Sequence, residues 1–137
     1  MPARFRAMPP GWSLAIVIGS VAVIGINSGM LTPLIALRAE AAGVSTTWNG
    51  VLAAAPSLAI LLLGSTFPST IRKLGVLQSF YFSTALAVIS ALLFPLSSNY
   101  WIWLLLKFAM GASLGLQWVV SESWINSLAA GDRKSVV

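Results

Sequence analysis

Four long runs of apolar residues divide the chain, and a short polar or turn-forming break ends each of the first three. The runs cover about 12–37, 48–67, 76–96 and 100–128. A helix needs roughly 20 apolar residues to cross the hydrocarbon core of a bilayer, and each run reaches that length. The breaks read RAEAAGVSTT, PSTIRKLG and PLSSN, and their Gly, Pro, Ser and Asn residues mark loops. A spanning segment must satisfy its own backbone hydrogen bonds, so the runs predict helices. The sequence lacks the alternating segments of about ten residues that mark a membrane β-barrel. The pattern therefore predicts an all-α polytopic membrane protein with four transmembrane helices between a short N-terminal segment (1–11) and a tail (129–137). The first run is about twice the usual 7–15 residue core of a signal peptide and no convincing cleavage site closes it, so it is expected to stay as a helix. Pro33 and Pro56 lie within or near the ends of runs, where proline kinks helices.

Composition supports this class. The 137 residues are 58% hydrophobic and 8% charged, with a mean hydropathy of +0.89; a soluble domain is typically about one quarter charged. There is no cysteine and no histidine, which removes disulfides, thiolate metal sites and the usual proton carrier near neutral pH. No acid/base pair or nucleophile constellation is present, so an enzyme is not expected, and no cofactor is. The net charge of +5 is too scattered for nucleic acid, and membrane lipid is the expected surrounding.

Basic residues set the orientation. Arg4 and Arg6 precede the first run, Arg72 and Lys73 lie between the second and third, and Arg133 and Lys134 follow the fourth. The other breaks hold only Arg38, offset by Glu40. The positive-inside rule places both termini and the Arg72–Lys73 break in the cytoplasm, in what is expected to be a bacterial inner membrane. Trp12, Trp48, Tyr100, Trp101 and Trp103 sit near run ends, where aromatic side chains anchor helices at the membrane interface.

Two charges lie inside the fourth run. Lys107 is near its outer side and Glu122 near its inner end. A charge at a helix centre costs about 2.5–3.5 kcal/mol on insertion scales, so such residues usually face a bundle interior or a water-filled cavity. At 100° per residue Lys107, Gly111, Gly115, Trp118 and Glu122 share one stripe. Lys107 and Glu122 stand roughly 22 Å apart along the helix axis, too far to pair with each other. Gly25 and Gly29 in the first run repeat the four-residue glycine spacing of Gly111 and Gly115, which lets membrane helices pack closely. Asn27 lies between the first pair and either bonds a neighbouring helix or lines a polar path. Gln117 lies off the stripe and is expected to bond a neighbour.

Three stretches resemble the N-terminal third of a major facilitator superfamily transporter. GSTFPSTIRKLG, residues 64–75, is similar to the superfamily's cytoplasmic signature: Gly64 and the pair Arg72–Lys73 match by spacing. Pro68 replaces its Asp and Ile71 its second Gly, for which Gly75 stands in only with an insertion. LKFAMGASLG, residues 106–115, resembles the fourth-span motif of a basic residue with glycines four and eight places on, with Lys107 where Arg is usual. SGMLTPLIALRAEAAGVSTTWNG, residues 28–50, resembles the first external loop. The resemblance implies a secondary active transporter moving a small solute by alternating access, with proton coupling as a family trait. It implies that Asn27 and Lys107 lie on the transport path. It also implies a cytoplasmic gate at Gly64, Arg72, Lys73 and Gly75, closed by Arg72 or Lys73 on Glu122. Such transporters have twelve helices in three-helix repeats; this chain carries one repeat and the first helix of the next. It is expected to be a fragment whose partners are the remaining helices. The alternative is a small four-helix membrane protein acting as an oligomeric exporter or a structural subunit. Charge-free residues in the first run argue against the exporter, which usually carries a membrane-embedded Glu there.

The orientation is directly checkable because the chain has no native cysteine. A cysteine at Ser98 should react with an impermeant maleimide from outside intact cells, and one at Ser69 only after permeabilisation; the opposite pattern would invert the topology.

Overall fold

The computed structural model describes residues 10–132, and some side chains in that range, Trp12 and Asn27 among them, lie outside the described residues. The elements are α1 (Pro10–Ala41), α2 (Thr46–Leu63), α3 (Phe67–Leu74), α4 (Val76–Leu93) and α5 (Tyr100–Asp132), with short 3₁₀ turns at Gly64–Thr66 and Phe94–Leu96. The protein is all-helical, with no strand among the described residues. Three helical stretches among these residues are long and apolar enough to cross a membrane: Thr46–Leu74 with 29 residues, Val76–Leu96 with 21 and Tyr100–Ser123 with 24. They are compatible with an integral membrane protein.

Helix boundaries lie near the ends of the apolar runs, but the helices reach further: α1 runs through RAEA to Ala41 and α5 to Asp132. The PSTIRKLG stretch is helical, not a loop: it forms α3, with proline in the first turn. Proline is tolerated there because its missing N–H would have had no partner in the helix. Arg72 and Lys73 fall in the last turn of α3, where positive charge complements the helix dipole. Gly75 alone makes the break to α4, at φ 86, a backbone region that side-chain-bearing residues avoid. Its N–H donates to Ile71 O at 2.8 Å and its carbonyl accepts from Ser79 N at 3.0 Å, so one residue closes α3 and opens α4. At the start of α5, Asn99 Oδ1 accepts from Trp101 N–H at 2.9 Å, an N-cap. Pro33 and Pro56 leave α1 and α2 helical on both sides.

The fifth helix is the centre of the bundle and packs on both α2 and α4. On the α2 side the approach is backbone to backbone: a Cβ on Gly111 would fall on the main chain of Pro56. One turn on, a Cβ on Gly115 would stand 2.7 Å from Phe67 Cε2 and 3.0 Å from Ile60 Cγ1. On the α4 side the contact is made by small polar residues. Ser79, Ser83 and Ser90 are buried and share one stripe of the helix; residues this small let membrane helices approach closely. Ser113 Oγ donates to Ser83 O across the contact at 2.9 Å. Gly25 and Gly29 differ from the α5 pair: both are exposed, and a Cβ at either would meet no atom within 4 Å.

Two apolar clusters close the ends. At the end where α1 passes to α2 and α4 to α5, Ile35, Ala39, Leu52, Phe94, Trp103 and Leu106 form one core. Trp103 is 2% exposed, so it is a core residue and not the interfacial anchor its position suggests. Its ring stacks on Phe94 with centroids 5.5 Å apart, and its indole N–H donates to Ser97 O at 2.8 Å. Trp48 and Trp101 remain exposed, as interfacial aromatics do. At the opposite end, beside α3, Phe67, Leu116 and Val120 form the second core, with Ile71 and Phe80 against it. α1 joins the first of these cores through Ile35 and Ala39, while Ile18, Ile26 and Met30 are exposed.

Gly111→Ala should lower stability in lipid nanodiscs by about 1–3 kcal/mol, the usual cost of overpacking. Gly25→Ala should stay within about 0.5 kcal/mol, as substitutions at open positions do. Thermal unfolding of the two variants checks both, and equal losses would mean that α1 also packs through its glycines.

Candidate functional site

A cavity of about 140 Å³ opens between α1, α2, α4 and α5. Leu31 and Thr32 of α1 and Pro56 of α2 form part of its wall. Ala87 and Ala91 come from α4, and α5 adds Lys107, Met110, Gly111, Ser113, Leu114 and Gln117. The wall is thus mostly apolar with a few convergent polar groups, the usual make-up of a small-molecule site.

Among the described residues Lys107 is the only charged one in this wall, and it is 4% exposed. The sequence places it on the Gly111–Gly115 face, and the structure carries that face into the bundle. A lysine near a helix end commonly snorkels toward water; this one is retained inside. Among the described residues it has no hydrogen-bond or ion-pair partner. The polar residues around it are engaged elsewhere. Gln117 Nε2 donates to Thr84 Oγ1 at 3.0 Å, and the Thr84 hydroxyl donates to Phe80 O at 2.9 Å. Ser113 is held by its bond to Ser83 O. These bonds tie α5 to α4 beside the cavity.

The other predicted path residue, Asn27, has its side chain outside the described residues. The cytoplasmic set comes together only in part. Arg72 and Lys73 are exposed on α3, and Arg72 Nη2 donates to Ser69 Oγ at 3.0 Å. Glu122 is also exposed, and among the described residues it forms no ion pair with either cation. The cause is helical phase. Phe67 and Ile71 of α3 pack on the Leu116 and Val120 face of α5, and Glu122 lies about 200° around the helix from Val120. Trp118, on the same stripe as Glu122, is exposed too. Gly75 is needed for its backbone angle. Gly64 is helical, with open space where a Cβ would lie, so nothing in its surroundings requires glycine.

Sequence reasoning missed Thr32, Ser113 and the serine stripe of α4. The four-residue spacing of Ser79 and Ser83, continued by Ser90, is the signal that could have found the stripe. Thr32 carries no such signal, because its place depends on how α1 leans on the bundle. No family model, curated protein or solved structure matches the chain.

A buried cation without a counter-charge destabilises the fold that holds it. Lys107→Met, similar in length and uncharged, should raise stability by about 1–3 kcal/mol in chemical denaturation, in line with the insertion cost of a charged residue. A loss of stability would reveal a counter-charge in the native bundle.

Proposed function

We propose that the chain is the N-terminal part of a major-facilitator-type secondary transporter, in which α1 is a fourth spanning helix and the cavity beside Lys107 belongs to the solute path. The observation that carries this reading is a single buried ammonium facing a cavity between helices, without a partner among the described residues. A purely structural subunit has no use for such a charge, since an apolar residue would fit the site at lower cost. The motif resemblance at residues 64–75 and 106–115 and the basic residues on one side of the membrane support the same reading. In it, the further helices of the transporter cover the exposed face of α1, lipid covers the outer faces of α4 and α2, and both termini lie in the cytoplasm. A small solute, with protons as the coupling ion, is moved by alternating access around the site.

Cysteine accessibility tests this without knowledge of the solute. Thr32→Cys and Gln117→Cys, placed singly in the cysteine-free chain in membranes, should react with a small aqueous thiol reagent. In the complete transporter, the side from which they react should change with the conformational state. Cavity cysteines that never react from either side would sink the reading, because a solute path must admit water.

A further inference from the structure

The Lys107 cavity has a neighbour. A second void of about 240 Å³ lies nearer the end where α1 passes to α2, with Arg38 in its wall. Leu31, Ala91 and Met110 belong to both walls, so the two voids adjoin. Each void thus holds one cation, and neither wall contains Asp or Glu among the described residues. The chain has three acids. Glu40 and Glu122 are exposed and line neither void, and the side chain of Asp132 lies outside the described residues.

We infer that the two adjoining cavities form the access path and binding site of a small organic monoanion, a carboxylate on an apolar body, with Arg38 at the mouth and Lys107 holding the carboxylate inside. The inference rests on the reading of the Lys107 cavity as a solute path, and it names the class of solute. Charge sets the sign of the ligand. An ammonium that its surroundings leave without an acceptor draws an opposite charge, and the described walls offer no carboxylate. One cation at the inner site matches one negative charge. Size and lining set the rest. An apolar void of about 150 Å³ can hold benzene, so the inner cavity has room for a single ring or a short chain. Leu31, Ala87 and Leu114 give that body apolar walls.

Arg38 is positioned for the mouth. Its Nη2 donates to Pro95 O at 3.1 Å, and its guanidinium carbon lies 6.0 Å from the centroid of the Trp103 ring. These contacts hold the head group in place and use only part of a guanidinium's five N–H donors. The donors left over can meet a carboxylate arriving from the outer side. Met110 belongs to both walls, and its unbranched thioether can adapt its shape to a guest.

Fluorine NMR of fluorobenzoate, titrated onto the purified chain in nanodiscs of zwitterionic lipid, tests the inference. The readout is equilibrium binding and not movement, so a failed accessibility switch and a failed anion site remain separate results. Fluorobenzoate should bind saturably, and the neutral isostere fluorobenzamide at least about tenfold more weakly, as expected when a charge-assisted contact is lost. Lys107→Gln should weaken fluorobenzoate by a similar factor, while Lys107→Arg, which keeps the charge, should retain most of the binding. Arg38→Gln should slow association several-fold, read from the exchange line shapes of the same titration, and change the affinity little, as loss of a steering charge does; an unchanged rate would overturn its place at the mouth. Absence of saturable binding to the unaltered chain would overturn the inference. So would equal affinity for the amide, or binding indifferent to Lys107→Gln. Binding should persist in discs containing phosphatidylserine; displacement by that lipid would assign the site to an anionic headgroup and overturn the free-solute reading.

Discussion

Gly111 lies against the backbone of Pro56 with no room for a side chain between them, and the rest of the bundle is arranged around that approach. It fixes α5 against α2 at a separation that only glycine permits, and the serine face of α4 then closes on the other side. Lys107 lies one turn from Gly111 on the same face. A lysine there on an isolated helix would reach for the membrane surface. Held to α2 through Gly111, the helix turns it inward instead. The close contact and the buried charge are therefore two results of one helical phase.

Much of the fold was legible from the sequence because membrane spans are written in length and apolarity. The boundaries of α2, α4 and α5 lie close to the ends of the apolar runs, and Gly75 marks the turn between α3 and α4. The exception, PSTIRKLG, shows the limit of composition. Proline and glycine signal a loop when counted together, yet here proline opens a helix and glycine ends it, and the residues between them stay helical. Trp103 shows a second limit. Its place near a run end suggests the interface, but its burial depends on Phe94 and Ser97, residues that the turn between α4 and α5 brings against it.

The site was legible in its charge and not in its surroundings. Lys107 stands out in an apolar run, and its shared stripe with Gly111 gives the direction it faces. The same stripe carries Trp118 and Glu122, which the structure leaves exposed. A helical stripe says which residues share a face; it does not say how far along that face the neighbouring helix extends. The 3₁₀ turn at Gly64–Thr66 ends α2 before Glu122 is reached, and α3 packs on a different face of α5. That change of partner halfway along one helix is tertiary information, and no spacing in α5 encodes it.

The two voids also give the bundle unequal stiffness. Where α5 meets α2 through glycine, main chain bears on main chain, and any displacement is resisted by steep repulsion. Where α1 passes over the adjoining cavities, atoms on one side lack partners, and the dispersion contacts that resist displacement are missing. α1 is thus the element freer to shift against its neighbours, while the α2–α5 pair keeps its spacing. A guest that filled the voids would act as a strut, making the soft side of the molecule as firm as the other.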